Sequence, residues 1–555
     1  MSNSTYKQPI KQKIRSEALE YAVTLLTTDR QKAAIAPENY VRAVRAKCAT
    51  LDYDPRYLDA SENSRDEDVK SWEDFRTSVV GRLKPEDLTI AYLAGPEPTN
   101  DIQKLLELGV RAENIWAFES GNGEFESAIK DVKNSEIRGV KLIKMRMEDY
   151  FSATPRRFDI IYFDACATFP SYKQKTIHII STIFRSSSLS SLGVLITNFS
   201  APDLSSETDL ENYSQLISSY LYSKGTLDCS IDGAFYTGDS AEALGYLLSP
   251  ETMSSFLEEE EEEEEEDFRY FNKEVKDKFN FYYGSFITRH IMDISSITAP
   301  TARLMSSKLW DNMFAKSDDI IGNARAWITQ HSIDDNLEDP SFLHGNIHED
   351  NNYSLVRVIS YMDMGGDSTT YSDSTRKFFK RWQAQLVDSD GTDKGIENIL
   401  AFYACKENSE YWKAGMLDVK EFNYRLKMPQ LCDVPTEELG FYPIFAQFAY
   451  PAHCNVKKAR RYTYVADGKT NRMFLDILPF DECRYIYDWL SSGHLVASDL
   501  EKMSTQLTFR FALDALVKNI HNYQHDYLFG AHAVPLSEEF DSAEFKERID
   551  LSADS

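Results

Sequence analysis

The stretch LTIAYLAGPEPTNDIQKLLELGVRAENIWAFES, residues 88–120, decides the predicted fold class. An apolar run over residues 88–94 ends at Gly95, and a second apolar run over residues 115–118 ends at Glu119. Between the two runs, apolar residues recur at helical spacing, which predicts a crossover helix. Two short strands joined by a crossover helix are typical of a parallel sheet.

The crossover helix also has start and stop signals. Its predicted apolar face is formed by Ile102, Leu105 and Leu106, and Gly109 follows as a stop signal. Three residues before that face have side chains suited to capping the helix: Thr99, Asn100 and Asp101.

The same alternation continues along the chain. Residues 140–145, 158–164 and 193–199 read as further strands, and the strand at 158–164 delivers Asp164 to the carboxyl edge of the sheet. We therefore predict an α/β domain with a doubly wound, mostly parallel sheet over residues 87–250.

The regions on either side of this domain have different sequence patterns. Residues 1–86 read as a helical segment, with helices predicted at Ile14–Thr28 and Ala36–Ala49. Residues 251–267 read as an acidic linker.

Residues 268–555 are predicted to be a large, mainly helical, aromatic-rich α+β region of one or two subdomains. Its expected elements are helices at Arg376–Leu386, Phe480–Leu490 and Gln506–His521, and a hairpin around Asp467-Gly468 within Tyr442–Leu478.

Composition excludes several classes of protein. The chain has 555 residues, of which 42% are hydrophobic and 13% aromatic, so it is neither disordered nor collagen-like. Its net charge of −28 disfavours a general coat of nucleic acid. We found no apolar stretch long enough to span a membrane and no apolar signal-peptide core, and the seven cysteines are scattered. We therefore expect a cytoplasmic protein without membrane contact.

The order of strand, turn, helix and strand suits an adenosine-containing ligand. In doubly wound sheets a carboxylate at the end of the second strand accepts hydrogen bonds from the ribose hydroxyls, and Glu119 has that position. Glu148 and Asp149 follow the third strand, where an adenine amino group can be read. The alternative for Glu119 is a carboxylate that caps the following turn, ESGNGE.

On these residues, about 86–230, the chain resembles the class I S-adenosylmethionine-dependent methyltransferases. The resemblance implies S-adenosylmethionine as cofactor and methyl transfer to a macromolecular substrate, including nucleic acid. It places Ala94 and Gly95 in the first motif, Glu119 at the ribose, and Glu148 and Asp149 at the adenine. Asp164 begins the fourth, catalytic motif and would lie nearest the methyl acceptor, where Phe169 and Tyr172 would stack on a planar substrate.

The sequence departs from the family pattern in two places. The first motif has one glycine, Gly95, and Pro96 and Pro98 remove backbone N–H donors. The fourth motif reads DACATF instead of Asn/Asp-Pro-Pro-aromatic. The alternative function is therefore a catalytically inactive scaffold or sensor subunit of a multi-component complex, such as a bacterial defence system. A dinucleotide-dependent dehydrogenase is disfavoured because the turn lacks GxGxxG.

Cys166 has two interpretations. DAC is similar to the Asp-Ala-Pro-Cys motif of RNA cytosine-C5 methyltransferases, whose thiolate attacks the base, but the proline is missing. We favour the other interpretation, a small apolar residue in the core.

Two histidine groups, His344 with His348 and His521 with His525 and His532, have spacings that a metal site can use. Gly345 and Asn346 favour a polar loop at the first group, and we predict no metal.

Two charged segments could recruit partners. The segment Val456–Arg472 contains Lys457, Lys458, Arg460, Arg461 and Tyr462, a pattern that suits phosphates and unpaired bases. We favour its alternative, pairing with the abundant carboxylates of the chain itself. The acidic run Glu258–Asp267 either remains solvated, which we favour, or docks a basic protein partner.

Overall fold

The computed structural model describes ten stretches of the chain: residues 9–50, 61–62, 65–221, 230–231, 234–235, 272–305, 372–386, 450–466, 470–489 and 548–552. Several predicted features lie outside the described residues. They are the acidic run 258–267, both histidine groups, the helix at Gln506–His521 and the turn residues Asp467 and Gly468.

Five parallel strands form the centre of the sheet. They are β1 (Ile90–Leu93), β2 (Ile115–Phe118), β3 (Lys141–Ile143), β4 (Phe158–Asp164) and β5 (Leu189–Ser200). Their spatial order is β3-β2-β1-β4-β5, and each neighbouring pair is parallel. The predicted α/β class with a mostly parallel sheet is confirmed. The order reverses between β1 and β4, where doubly wound sheets have their ligand crevice.

Four more strands extend this sheet beyond β5. They are β6 (His453–Cys454), β7 (Arg460–Val465), β8 (Arg472–Asp481) and β9 (Ile549–Asp550). Strand β8 is antiparallel to β5 and to β7, so the predicted hairpin is confirmed by the pairing of Val465 with Arg472. The hairpin joins the same sheet as β1–β5, although the sequence placed it in the C-terminal region.

The predicted helix Phe480–Leu490 is wrong at its start. Phe480 and Asp481 are the last residues of β8, and the helix is limited to Arg484–Tyr487. The run MFLDILPF at 473–480 is buried throughout, as expected of a strand covered on both faces. Continuous burial hides the alternation that would have marked this strand in the sequence.

Helices cover both faces of the sheet. Before β1 lie α1 (Pro9–Leu26), α2 (Arg30–Ala33), α3 (Tyr40–Cys48) and α4 (Asp66–Val80). Within the β1–β5 region and just after it lie α5 (Thr99–Glu107), α6 (Asn122–Asn134), α7 (Met147–Ala153), α8 (Thr176–Arg185) and α9 (Glu207–Leu221). Later in the chain are α10 (Phe279–Asp293), α11 (Ala299–Met305), α12 (Asp373–Leu386) and α13 (Arg484–Tyr487). The helices predicted at Ile14–Thr28, Ala36–Ala49 and Arg376–Leu386 are confirmed by α1, α3 and α12.

The smaller elements complete the described structure. Short 3₁₀ helices span Pro85–Asp87, Ala112–Asn114 and Val456–Lys458, and a π-helical turn, Ile294–Thr298, joins α10 to α11. Strands Ser230–Ile231 and Ala234–Phe235 form a separate two-stranded hairpin. The predicted side-chain cap of α5 is absent, since α5 begins at Thr99 without a capping hydrogen bond.

Two apolar clusters hold the layers together. Ile160 and Tyr162 of β4 belong to the cluster that contains residues of α1, α3, α4 and α5, whereas Ile161 and Phe163 belong to the cluster with α8, α9, α10 and α12. This alternation is the two-residue period of a strand covered on both faces. Helix α1 therefore packs on one face of the sheet. Within the described residues, the helices are too short or too polar to cross a bilayer.

Candidate functional site

A cavity of about 270 Å³ lies at the carboxyl ends of β1 to β4. A residue that follows each of these four strands lines the cavity, and helix α1 contributes two cations to the lining. The principal lining residues are Gly95, Glu119, Glu148, Asp164, Cys166, Lys11 and Arg15. The cavity therefore occupies the point where the strand order reverses, the usual ligand position in this type of sheet.

The turn after β1 depends on its glycine. Gly95 has a φ of +59°, in the left-handed region that side chains disfavour. Ala94 is 1% exposed, and its N–H donates to the Phe118 carbonyl at 2.9 Å. Of the two residues predicted in the first motif, only Gly95 lines the cavity.

Glu119 has a partner within the protein. Its Oε1 accepts a hydrogen bond from the Gly121 N–H at 2.7 Å, so the predicted turn-capping role is present. The side chain nevertheless lines the cavity. A carboxylate can accept about four hydrogen bonds, so capping this turn leaves capacity for a ligand.

The two acidic residues predicted at the adenine lie in different surroundings. Glu148 is buried, lines the cavity and forms an ion pair with Arg146. Asp149 is exposed and does not line the cavity. Consecutive residues of a helix do not share a face, and both residues belong to α7. The structure thus brings only Glu148 to the site.

Asp164 is the centre of a hydrogen-bonded cluster. Its Oδ2 lies 3.4 Å from the Lys11 Nζ, and its Oδ1 accepts hydrogen bonds from Asn198 at 2.9 Å and from the Cys166 thiol at 3.1 Å. Burial alone would raise the pKa of Asp164, but Lys11, Arg15 and these hydrogen bonds outweigh it and lower the pKa. Asp164 is therefore ionised at neutral pH.

A second buried ion pair lies beside the first. The Arg15 guanidinium donates to Asp101, and both side chains are nearly inaccessible to solvent. Burial raises the pKa of Asp101, and Arg15 opposes that rise only in part. Lys11 and Arg15 thus supply two positive charges among the carboxylates of the cavity wall.

Lys11 and Arg15 were missed by the sequence reasoning. They stand four residues apart, in a helical row that continues through Ala18 and Ala22 in the apolar face of α1. Two cations inside an otherwise apolar helical row are a signal that could have identified them, because buried cations require partners.

The interpretation of Cys166 as core packing is wrong. The residue is exposed, has a φ of +47° and lines the cavity. One side of the sulfur is nevertheless packed against the protein, and the Lys11 Nζ lies 3.3 Å from it. This desolvation and the neighbouring Asp164 raise the pKa of the thiol to about 12. A thiol with that pKa is protonated at neutral pH, which speaks against a resting thiolate nucleophile.

The two aromatic residues predicted to stack on a substrate differ in exposure. Phe169 is fully buried, and its ring packs 5.0 Å from that of Phe199, so the prediction is wrong for this residue. Tyr172 is 63% exposed and lies outside the cavity lining. Gln174, two residues further on, does line the cavity.

The basic segment lies away from the cavity. In the sheet, Arg460 of β7 lies opposite Ile477 of β8, and Ile477 lies opposite Ile196 in the middle of β5. The cavity, in contrast, lies beyond the carboxyl end of β4. The guanidinium carbon of Arg460 is 3.5 Å from the centre of the Tyr21 ring, and Arg461 is buried. Lys457 is exposed, and Lys458 and Tyr462 are half-buried. Nucleic-acid contact by this segment stays a prediction.

Within the described stretches, no group of three or more His, Cys, Asp and Glu residues is arranged to hold a metal ion. A scan against models of protein families and a search of curated proteins both give no match.

Proposed function

We propose that the chain is an S-adenosylmethionine-dependent methyltransferase that acts on a macromolecular substrate. The observation that carries this proposal is the cavity at the β1/β4 reversal, lined by Gly95, Glu119 and Glu148. These residues follow the first three strands, so the ligand would contact a backbone turn and two carboxylates at once.

The chemistry of the cavity fits this cofactor. Glu119 and Glu148 suit ribose hydroxyls and an adenine amino group, and Lys11 or Arg15 would attract the carboxylate of an amino-acid moiety. The volume of about 270 Å³ lies just below the range of about 300–1,000 Å³ for small-molecule sites. The antiparallel neighbour of β5 further disfavours a dinucleotide-dependent dehydrogenase, whose sheet continues from that position in a second parallel half.

The bound cofactor would supply an electrophilic methyl group, and the protein would align the acceptor. Asp164 is the group of this chain best placed to accept a hydrogen bond from the acceptor. Its lowered pKa makes it a weak base, so orientation is its main role. Lys11 would have to share this carboxylate with the acceptor.

A non-catalytic cofactor sensor is the second candidate. The observation that favours it is the ion pair between Lys11 and Asp164, because this pair, Asn198 and Cys166 already engage both carboxylate oxygens. In a sensor, the same cluster would stabilise the cavity wall and no acceptor would approach Asp164.

Calorimetric titration with S-adenosylmethionine tests cofactor binding. We expect micromolar affinity in the unmodified protein and a large loss in Gly95→Val, because a β-branched residue at a φ of +59° strains the turn. Gly123→Ala is the matched control, since a Cβ there meets no atom within 4 Å. An absence of heat at millimolar cofactor would contradict both candidates.

Transfer of a labelled methyl group separates the two candidates. Labelled S-adenosylmethionine is incubated with the protein and with RNA, DNA or protein fractions as acceptors. Label in one fraction, lost in Asp164→Ala, supports the methyltransferase. Cofactor binding without transfer to any fraction supports the sensor.

A further inference from the structure

A positively charged surface lies beside the cavity and is separate from the basic segment at residues 456–472. Helix α12 carries Lys377, Lys380 and Arg381 on its exposed side, while Phe379 and Trp382 are buried on the other side. The spacing of the three cations places them on one helical face. This face of α12 is therefore a cationic ridge.

The ridge meets an exposed aromatic residue. The guanidinium carbon of Arg381 lies 5.5 Å from the centre of the Tyr172 ring. Lys173 and Lys175 follow Tyr172 and are exposed as well. We call the six residues together the α12 patch: Tyr172, Lys173, Lys175, Lys377, Lys380 and Arg381.

The α12 patch is adjacent to the candidate site. Gln174 lies between its two loop lysines and lines the cavity. Consecutive Cα atoms are 3.8 Å apart, so the Cα atoms of Tyr172 and Gln174 are within about 8 Å of each other. A polymer held on the α12 patch would thus be next to the cavity mouth.

The charge of the patch is available to a partner. Among the described residues, none of the five cations forms an ion pair. The whole chain carries a net charge of −28, and it would repel a polyanion from most of its surface. An anionic polymer would therefore approach the protein at the five positive charges of the α12 patch.

We propose that the α12 patch binds single-stranded nucleic acid and presents one nucleotide to the cavity. This inference rests on the proposed function, for which it names the substrate class. The cations would contact backbone phosphates, and the 63% exposed ring of Tyr172 would stack on an unpaired base. An exposed ring among cations favours a single strand, because the bases of a duplex are already stacked and paired.

Fluorescence anisotropy with labelled 20-nucleotide oligouridylate and oligothymidylate tests the proposal on the full chain without cofactor. We expect Lys377→Glu with Lys380→Glu to weaken binding by at least about tenfold and to reduce the log–log salt slope by up to roughly 1.4, for two contacts. The matched control is Lys130→Glu with Lys133→Glu, two exposed lysines three apart on α6. We expect the control to remain within about twofold of the unmodified protein.

Tyr172 provides an independent readout. Tyr172→Ala should weaken binding roughly 5- to 150-fold with little change in salt slope, whereas Tyr172→Phe should keep most of the affinity. Equal losses in the α12 and α6 variants, or no binding by the unmodified protein, would overturn the proposal. So would binding to phosphatidylserine vesicles without binding to either oligonucleotide.

Cofactor calorimetry on the same samples separates this proposal from the proposed function. Oligonucleotide binding that follows the expected pattern without cofactor binding would support the α12 patch and contradict the methyltransferase. Cofactor binding without oligonucleotide binding would contradict the α12 patch alone.

Discussion

At Glu119 the observed turn cap and the proposed ligand contact involve the same carboxylate, and a single substitution can separate them. Glu119→Gln keeps an oxygen that can accept from the Gly121 N–H, but it removes the charge. We expect the melting temperature to change little and cofactor affinity to fall by about 1.5–3 kcal/mol, the range for hydrogen bonds to charged groups.

Calorimetry and a melting curve measure these two effects of Glu119→Gln. Glu124→Gln is the control, because Glu124 is an exposed carboxylate near Gly121 that does not line the cavity. Unchanged cofactor affinity in Glu119→Gln would mean that the carboxylate serves only the turn.

The raised pKa of Cys166 predicts slow alkylation despite its exposure. With a pKa of about 12, only about one thiol in 10⁴ is ionised at pH 8, and the rate should rise tenfold per pH unit up to that pKa. Asp164→Asn removes a carboxylate that raises this pKa, so the same rate should be reached at lower pH.

Peptide mapping after iodoacetamide treatment gives the rate at Cys166 alone. The buried Cys454 is an internal control and should react more slowly in the folded protein. Rapid alkylation of Cys166 near pH 7 would contradict the raised pKa and would favour a thiolate mechanism.

At the scale of elements, α1 contacts β7 and the 3₁₀ helix Val456–Lys458 that precedes it, and the sequence could not show these contacts. The Tyr21 hydroxyl donates to the Lys458 carbonyl at 2.7 Å, and Arg460 stacks on the same ring. Arg460 of the basic segment therefore has an aromatic ring of α1 as its partner. Arg472, the last residue of the segment, forms an ion pair with Asp550, so the carboxylate pairing favoured from the sequence is confirmed for this residue.

This contact predicts a stability effect for Arg460. Arg460→Ala should lower the free energy of unfolding by about 0.5–1 kcal/mol, the typical strength of an exposed cation–π pair. Lys457→Ala is the control, because Lys457 is exposed and an exposed substitution usually changes stability by less than about 0.5 kcal/mol.

Denaturant unfolding of both variants measures the difference. If Arg460→Ala leaves the free energy of unfolding unchanged and instead weakens oligonucleotide binding, the contact with Tyr21 does not stabilise the fold and the basic segment contacts nucleic acid.

The elements differ in how well the sequence predicted them. Strands β1–β5 were predicted because short apolar runs alternate with amphipathic helices, and that pattern is local. The same holds for the contribution of Gly95, Glu119 and Asp164 to the cavity, since each lies at the end of a strand or within two residues after it. Lys11 and Arg15 reach the cavity through the packing of α1 against the sheet, and such long-range packing has no local pattern.

At the scale of the whole molecule, the sheet combines strands from both sides of the acidic run. Strand β8 pairs with β5 at nine successive positions, from Met473 with Ser200 to Asp481 with Leu192. Beside this pairing, Arg157 bonds Glu482 at 3.1 Å. Sequence composition suggested a linker at residues 251–267, but a composition change along the chain does not determine which strands pair.

The shared sheet predicts that the two sides of the acidic run stay together after the chain is cut. A protease site is inserted after residue 262, cleavage is verified on a denaturing gel, and the products are analysed by size-exclusion chromatography. We expect the fragments to elute together, because separation would expose the edge of β5 and the buried side chains of β8.

Sodium chloride at 1 M should not separate the fragments. Salt screens the ion pair Arg157–Glu482, but it does not weaken the burial of apolar side chains. The uncleaved protein gives the reference elution volume. Two separate folded peaks would contradict the shared sheet and would restore the division of the chain at residues 251–267.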